Sequence, residues 1–167
     1  MRILIAAVGK LKDTEERAIS ERYAKRFNGA GSAIGLGPIE IRELPESRAG
    51  SASERKRDEA VRLLTTGSAD FSIALHPAGR SLDSEAFAAL LGGKRDDGVR
   101  TCAFLIGGPD GHGEAALGTA QMKLSLGPLT LPHGLARVVL IEQLYRAATI
   151  LSGHPYHRAR GHKQWIR

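Results

Sequence analysis

Apolar residues follow two alternating patterns along this chain, and the alternation predicts an α/β fold. Short apolar runs of strand length are separated by segments in which apolar residues recur every three to four positions. The predicted strands are residues 2–8, 38–44, 71–75, 101–106 and 124–126. The predicted helices are residues 14–27, 52–64, 84–91, 114–120 and 134–151. Because strand and helix alternate, we expect a mainly parallel sheet with helices on both faces.

Local signals mark the ends of the middle elements. Ser51 and Glu54 fit a capping box at the start of one helix, and Asp83 can cap the next. The two glycines at 92–93 are expected to stop that second helix. Residues 76–79, His-Pro-Ala-Gly, are expected to end the third strand.

The helix over residues 134–151 is apolar around much of its circumference. Such a helix is either deeply buried or lies at a subunit interface. No apolar period remains after Gly153. We therefore expect one domain over residues 1–167, with residues 154–167 as a basic C-terminal tail.

Composition excludes several classes of protein. Of 167 residues, 42% are hydrophobic and 25% are charged, as in ordinary globular proteins. Cys102 is the single cysteine, so neither a disulfide framework within one chain nor a cysteine-rich zinc site is expected. No apolar run reaches the roughly 18 residues of a membrane span, and the N-terminus lacks a signal-peptide cleavage region. We expect a cytoplasmic protein without membrane association.

Positive charge is concentrated at the C-terminal end. Residues 133–167 contain six basic side chains and one acidic side chain, and the formal net charge of the whole chain is +6. The same stretch holds four of the six histidines. A basic end on a nearly neutral body favours a polyanionic partner, most simply nucleic acid, and the alternative is a solvated tail.

Three loops should lie at the carboxyl edge of a parallel sheet, where ligands bind in such folds: residues 76–80, 107–113 and 127–133. Residues 107–113, here called the glycine loop, hold four glycines, which allow close approach of a ligand or a tight turn into a helix. The glycine loop matches neither a P-loop nor a dinucleotide-binding fingerprint. Residues 127–133, here called the apolar loop, are expected to pack on a flat, partly hydrophobic ligand such as a purine, or else in the core.

Other chemistry is not indicated by the sequence. There is no convincing Ser–His–acid set, no paired carboxylates and no metal-ligand spacing. His154, His157 and His162 are close in sequence but lack a rigid helix, so they form a poor ligand set. His133 follows a proline at a helix start, where a structural and a catalytic role both remain open.

Several ordered motifs together carry a resemblance to a known family. They are residues 104–111 (FLIGGPDG), 124–126 (LSL), 129–133 (LTLPH), 137–147 (RVVLIEQLYRA) and 153–158 (GHPYHR), with 7–10 (AVGK) and 79–85 (GRSLDSE) in support. In this order and over nearly the whole chain, the sequence closely resembles the ribosomal RNA large subunit methyltransferase H family of the SPOUT methyltransferases.

The resemblance implies a fold, a reaction and partners. The fold would be of the SPOUT type with a C-terminal trefoil knot, and the protein would be a homodimer. The methyl donor would be S-adenosylmethionine, with no metal. The reaction would methylate N3 of a pseudouridine in large-subunit ribosomal RNA, with the assembled ribosome as the expected form of the substrate.

The resemblance also implies site residues. The donor would be bound by Leu75, Gly107, Gly108, Leu126, Gly127, Pro128, Leu129, Thr130 and Leu131. RNA would be bound by Arg137, Tyr156, His157 and Arg158. The proton acceptor is not assigned, and its candidates are His133, Arg137, Tyr156 and His157.

Three features depart from the family pattern. His76 stands where an acidic residue is expected, Gly127 stands where serine is usual, and residues 159–167 run past the usual end. Two other classes remain as alternatives: a non-catalytic RNA-binding or ribosome-associated protein with the same fold, and a nucleotide-binding oxidoreductase or hydrolase. The glycine and apolar loops together argue against the first. The missing nucleotide fingerprints argue against the second.

Overall fold

A five-stranded parallel sheet forms the centre of the protein, as seen in a computed structural model that describes residues 1–156. The sheet order is β2-β1-β4-β3-β5. The strands are β1 (Arg2–Val8), β2 (Ile39–Leu44), β3 (Phe71–Ser81), β4 (Thr101–Ile106) and β5 (Met122–Ser125). The helices are α1 (Thr14–Ser32), α2 (Ala52–Thr66), α3 (Ser84–Asp96), α4 (Glu114–Thr119) and α5 (His133–Leu151).

Helices cover both faces of the sheet, which confirms the predicted α/β architecture. Helices α1, α3 and α5 pack on one face, where Phe27, Leu91 and Leu144 are fully buried. Helices α2 and α4 cover the other face through residues such as Leu63 and Leu117. Strand β4 lies between β1 and β3 and is buried on both sides, which explains its continuous apolar sequence.

Helix α3 and strand β3 both continue past their predicted ends, and in each a glycine allows close packing instead of ending the element. Helix α3 continues through residues 92–93 to Asp96. A Cβ at Gly92 would lie 3.0 Å from a methyl of Leu151, so this glycine lets α3 approach α5. Strand β3 continues to Ser81 after a bulge, because both Leu75 and Arg80 pair with Leu124 of β5.

The long helix α5 is buried mainly within its own chain. It packs against α1 and α3, and Leu140, Ile141 and Leu144 are fully buried there. Helix α1 is longer than predicted and ends at Ser32 instead of residue 27. No helix within residues 1–156 is long and apolar enough to cross a membrane. Among the same residues, no three His, Cys, Asp or Glu side chains come together as a possible metal site.

Candidate active site

His133 and Gly107 meet at the carboxyl edge of the sheet. His133 is the first residue of α5, and its Cε1 lies 3.7 Å from where a Cβ on Gly9 would stand, just beyond β1. Burial and the nearby Arg137 lower the pKa of His133, opposed by a backbone interaction with Gly107. Its Nε2 is buried and has no hydrogen-bond partner among the described residues. The arrangement places a neutral imidazole beside the start of the glycine loop.

The glycine loop is held by its own histidine. His112 Nε2 accepts a hydrogen bond from the Gly107 N–H at 3.2 Å, and the side chain is only 9% exposed. Burial lowers the pKa of His112 to about 4, so the ring is neutral at pH 7. The loop closes through a hydrogen bond from the Gly111 N–H to the Gly108 carbonyl, with Gly111 at φ +85°. No sequence pattern around His112 indicated that its side chain would hold the glycine loop.

Glycine at 107 and 108 is required by the protein's own packing. A Cβ on Gly107 would lie 2.9 Å from the backbone carbon of Gly111. A Cβ on Gly108 would lie 2.7 Å from Oε2 of Glu59 and 3.0 Å from Val8. Larger residues here disturb the loop itself, so such substitutions do not separate donor binding from folding. The tight-turn interpretation therefore explains why residues 107 and 108 are glycine.

The apolar loop is not a core loop. Leu129 is 79% exposed, and its neighbours Pro128 and Thr130 are exposed as well. Leu126 and Leu131, at the two ends of this stretch, are half-buried. An exposed apolar stretch beside the strand ends favours the ligand-contact interpretation over the core interpretation.

Gly127 opens the space in front of this loop. Its φ is +124°, a value that L-residues rarely adopt, and no atom lies within 4 Å of a Cβ placed there. Ser125 Oγ accepts a hydrogen bond from the Gly127 N–H at 3.2 Å. The hydroxyl that the family usually has at 127 is absent here, and the backbone conformation explains why glycine suits the position.

Leu75 and His76, both on β3, lie beside the glycine loop at the carboxyl edge of the sheet. Leu75 is half-buried on β3, and an interaction between its backbone and His112 links β3 to the glycine loop. His76 Nδ1 accepts a hydrogen bond from the Ala78 N–H at 3.1 Å, inside the β3 bulge. The imidazole replaces the expected carboxylate and lies close enough to His112 to disfavour its protonation.

Arg137 is placed differently from the prediction that it contacts RNA or accepts a proton. Its side chain is 1% exposed, forms an ion pair with Glu43 on β2 and donates to the Gly9 carbonyl at 3.0 Å. Glu43 also accepts from the Leu11 N–H at 2.8 Å, and these contacts lower its pKa against the effect of burial. A guanidinium cannot serve as a base at neutral pH. Arg137 therefore ties α5 to β1 and β2.

Tyr156 packs on the far end of α5. Its ring centre lies 4.6 Å from that of Tyr145, and its hydroxyl donates to Glu142 Oε1 at 3.2 Å. The Arg146 guanidinium lies 5.1 Å from the ring centre. Twelve residues of helix, about 18 Å, separate His133 from Tyr145, so one chain does not bring Tyr156 to its own glycine loop.

The folded part of the chain reaches at least Tyr156, which is the third residue of the segment assigned to the tail. His157 and Arg158, which the resemblance assigns to RNA, lie outside the described residues. Residues 159–167 lie outside them as well.

Comparison with known proteins defines the class. The family described as "Predicted SPOUT methyltransferase" matches residues 1–157. Given that match and the relatives that follow, the chain belongs to the ribosomal RNA large subunit methyltransferase H family of the SPOUT methyltransferases.

The relatives carry that name. "Ribosomal RNA large subunit methyltransferase H" of Brucella abortus (strain S19) is 47% identical over 169 residues, covering 95% of this chain and 100% of its own. The protein of the same name from Rhizobium etli is 50% identical over 159 residues, covering 95% and 99%. A solved structure of "a probable methylase family protein from Haemophilus influenzae Rd KW20" aligns with a TM-score of 0.43 at 14% identity, over 95% of this chain and 70% of that one.

Proposed function

We propose that this protein transfers the methyl group of S-adenosylmethionine to N3 of a pseudouridine in large-subunit ribosomal RNA, in the cytoplasm. The reaction class follows from the family, and the relatives are named as methyltransferases of that RNA. The observation that carries the proposal at this chain's own site is the convergence of a neutral His133, the Gly107 backbone and an exposed apolar loop at one sheet edge.

The residues at this edge fit the donor. The adenine would pack on the exposed leucine side chain of the apolar loop, and the open space at Gly127 leaves room for close approach. The backbone at Leu75, Gly107 and Gly108 would hold the rest of the molecule, together with Leu126, Pro128, Thr130 and Leu131. The bound donor supplies a methyl group on a sulfonium, which is already an activated leaving group.

His133 is the best-placed proton acceptor among the candidates. The N3 proton of the pseudouridine must leave as the nitrogen takes the methyl group. The lowered pKa keeps His133 neutral, and its buried Nε2 has no partner among the described residues. Tyr156 is a poorer base because burial and its neighbours raise its pKa to about 12, so the hydroxyl keeps its proton. His157 remains a candidate from the resemblance alone.

We further propose that two chains form each complete site. About 18 Å along α5 separates His133, at the proposed donor site, from Tyr145. The RNA candidate Tyr156 packs against Tyr145 and therefore lies at the far end of the helix. Leu135 on α5 is 43% exposed, which supports a homodimer contact on this helix. The basic end with His157 and Arg158 would then bind RNA of the assembled ribosome, and the C-terminal segment would form the family's trefoil knot.

Calorimetric titration tests the donor site. The full-length chain is titrated with S-adenosylmethionine, NAD and ATP. We expect binding of S-adenosylmethionine alone, and loss of that binding in Leu129→Asp with an unchanged unfolding midpoint. The matched control is Val61→Asp, which alters a residue 58% exposed on α2, away from the loop. Binding of NAD or ATP in place of S-adenosylmethionine, or unchanged affinity in Leu129→Asp, would contradict the proposed site.

A further inference from the structure

Helix α2 presents a buried carboxylate to the glycine loop. Glu59 is 3% exposed, and its Oε1 accepts a hydrogen bond from the Ser47 N–H at 2.8 Å. Its Oε2 is also buried, has no hydrogen-bond partner within the described part of the chain, and lies 2.7 Å from the Cβ position of Gly108. A buried polar atom without a partner is costly, so folding alone does not explain this placement.

A second contact joins the same helix to the same loop. Arg55 forms a two-point ion pair with Asp110, with Nε to Oδ2 at 2.6 Å and Nη2 to Oδ1 at 3.3 Å. The pair lowers the pKa of Asp110, and Arg55 also donates to the Ala49 carbonyl at 3.2 Å. Arg55 and Glu59 are four residues apart, so both lie on the face of α2 that meets the loop.

The far end of the loop rests on α2 as well. A Cβ on Gly113 would stand 2.5 Å from the carbonyl oxygen of Lys56. The loop is therefore held at three positions along its length: at Gly108, at Asp110 and at Gly113.

We propose that Arg55 and Glu59 are positioning residues for the methyl donor: they fix the glycine loop on α2 with the Gly107 backbone set to receive it. Glycine loses more conformational freedom on ordering than any other residue, so a loop with four glycines binds weakly unless it is ordered beforehand. The α2 contacts supply that order. This inference rests on the proposed function and adds residues that the family motifs did not point to.

Positioning differs measurably from simple packing of α2. If the contacts only stabilise the fold, removing them lowers the unfolding midpoint and leaves donor affinity in the folded protein unchanged. If they position the loop, donor affinity and the KM for S-adenosylmethionine change, while kcat at saturating donor stays close to the parental value. The ion pair is suited to this test because both side chains are about 30% exposed, at 30% and 28%.

The experiment exchanges the ion pair in the full-length chain. Arg55→Asp and Asp110→Arg, made singly, should each weaken S-adenosylmethionine binding about 5-fold, as loss of a well-formed, partly exposed pair predicts. The double exchange should restore affinity to within about 2-fold. Asp97→Asn is the matched control, because it removes the Lys94–Asp97 ion pair at the end of α3, which takes no part in the contacts between α2 and the loop. Calorimetry gives the affinities, and thermal unfolding confirms that each protein is folded.

Glu59 is tested by its own pair of variants. Glu59→Ala should weaken donor binding about 10-fold, because it removes the acceptor of the Ser47 N–H and leaves a gap against Gly108. Glu59→Gln, whose amide oxygen can still accept that bond, should bind within about 3-fold of the parent. Parental affinity in Glu59→Ala and in both single ion-pair variants would overturn the inference. Failure of the parent itself to bind S-adenosylmethionine would instead overturn the proposed function.

Discussion

Acidification should lower the free energy of unfolding through His112 at a pH above that at which most carboxylates are protonated. Burial lowers the pKa of His112 from 6.5 to about 4 in the folded chain. Above about pH 6.5 the ring is neutral in both states and its contribution to stability is complete. Between pH 6.5 and about 4, His112 is protonated in the unfolded chain but remains neutral in the folded chain. The free energy of unfolding therefore falls as the pH falls.

The size of the effect follows from the shift. At about 1.4 kcal/mol for each pKa unit, His112 accounts for up to about 3 kcal/mol of unfolding free energy lost by pH 4. Little is subtracted for solvent screening because the side chain is 9% exposed. Protonation also removes the acceptor of the Gly107 N–H, so S-adenosylmethionine affinity should fall over the same range.

Urea unfolding at pH 7.5, 5.5 and 4.5 measures the effect, with His112→Gln beside the parent. The variant should be less stable at pH 7.5 but lose less stability on acidification. Groups such as His133, whose pKa is also lowered, contribute equally to both proteins and cancel in the comparison. His154→Gln, at an exposed position, is the matched control and should follow the parent. Parallel pH curves for the parent and His112→Gln would refute the reasoning.

Three further predictions concern the fold and the assembly. Arg137→Ala should lower the unfolding free energy by about 3 kcal/mol in urea, because it removes a fully buried guanidinium that bonds Glu43 and the Gly9 carbonyl, and a loss under about 1 kcal/mol would contradict this. Leu135→Arg should convert the proposed dimer into a folded monomer by light scattering, and a persistent dimer would place the contact elsewhere. Cys102, whose pKa burial raises to about 12, should resist thiol reagents at pH 7.5 until urea is added. Rapid labelling of the native protein would contradict that burial.

The periodic part of the sequence predicted most of the fold. The ten elements within residues 1–156 follow the expected order, because apolar spacing directly reflects which side chains are buried. The errors occur where glycine has two possible uses. Gly92 and the segment around Gly79 were interpreted as stop signals, yet each lets one element approach another closely. That use depends on a neighbour distant in sequence, so no local pattern reveals it.

The candidate site was predictable only in part. The two loops were located from their composition and from the rule for the carboxyl edges of parallel strands. The RNA and proton-acceptor roles of Arg137 came from the resemblance alone, and no local pattern indicates its buried ion pair with Glu43, which is 94 residues away. Glu59 gave no signal because a charged helix usually presents its charges to solvent. Its burial against Gly108 follows only from the packing of α2 on the sheet.

Methyl transfer to ribosomal RNA is the most direct test of the account. Assembled ribosomes from a strain lacking this gene are incubated with the purified protein and S-adenosylmethionine, and the large-subunit RNA is digested for mass spectrometry. The account predicts one methyl group gained, located on N3 of a pseudouridine, and no gain without the donor. A protein that binds S-adenosylmethionine but adds no methyl group, or adds it at another position of the RNA, would contradict the central claim.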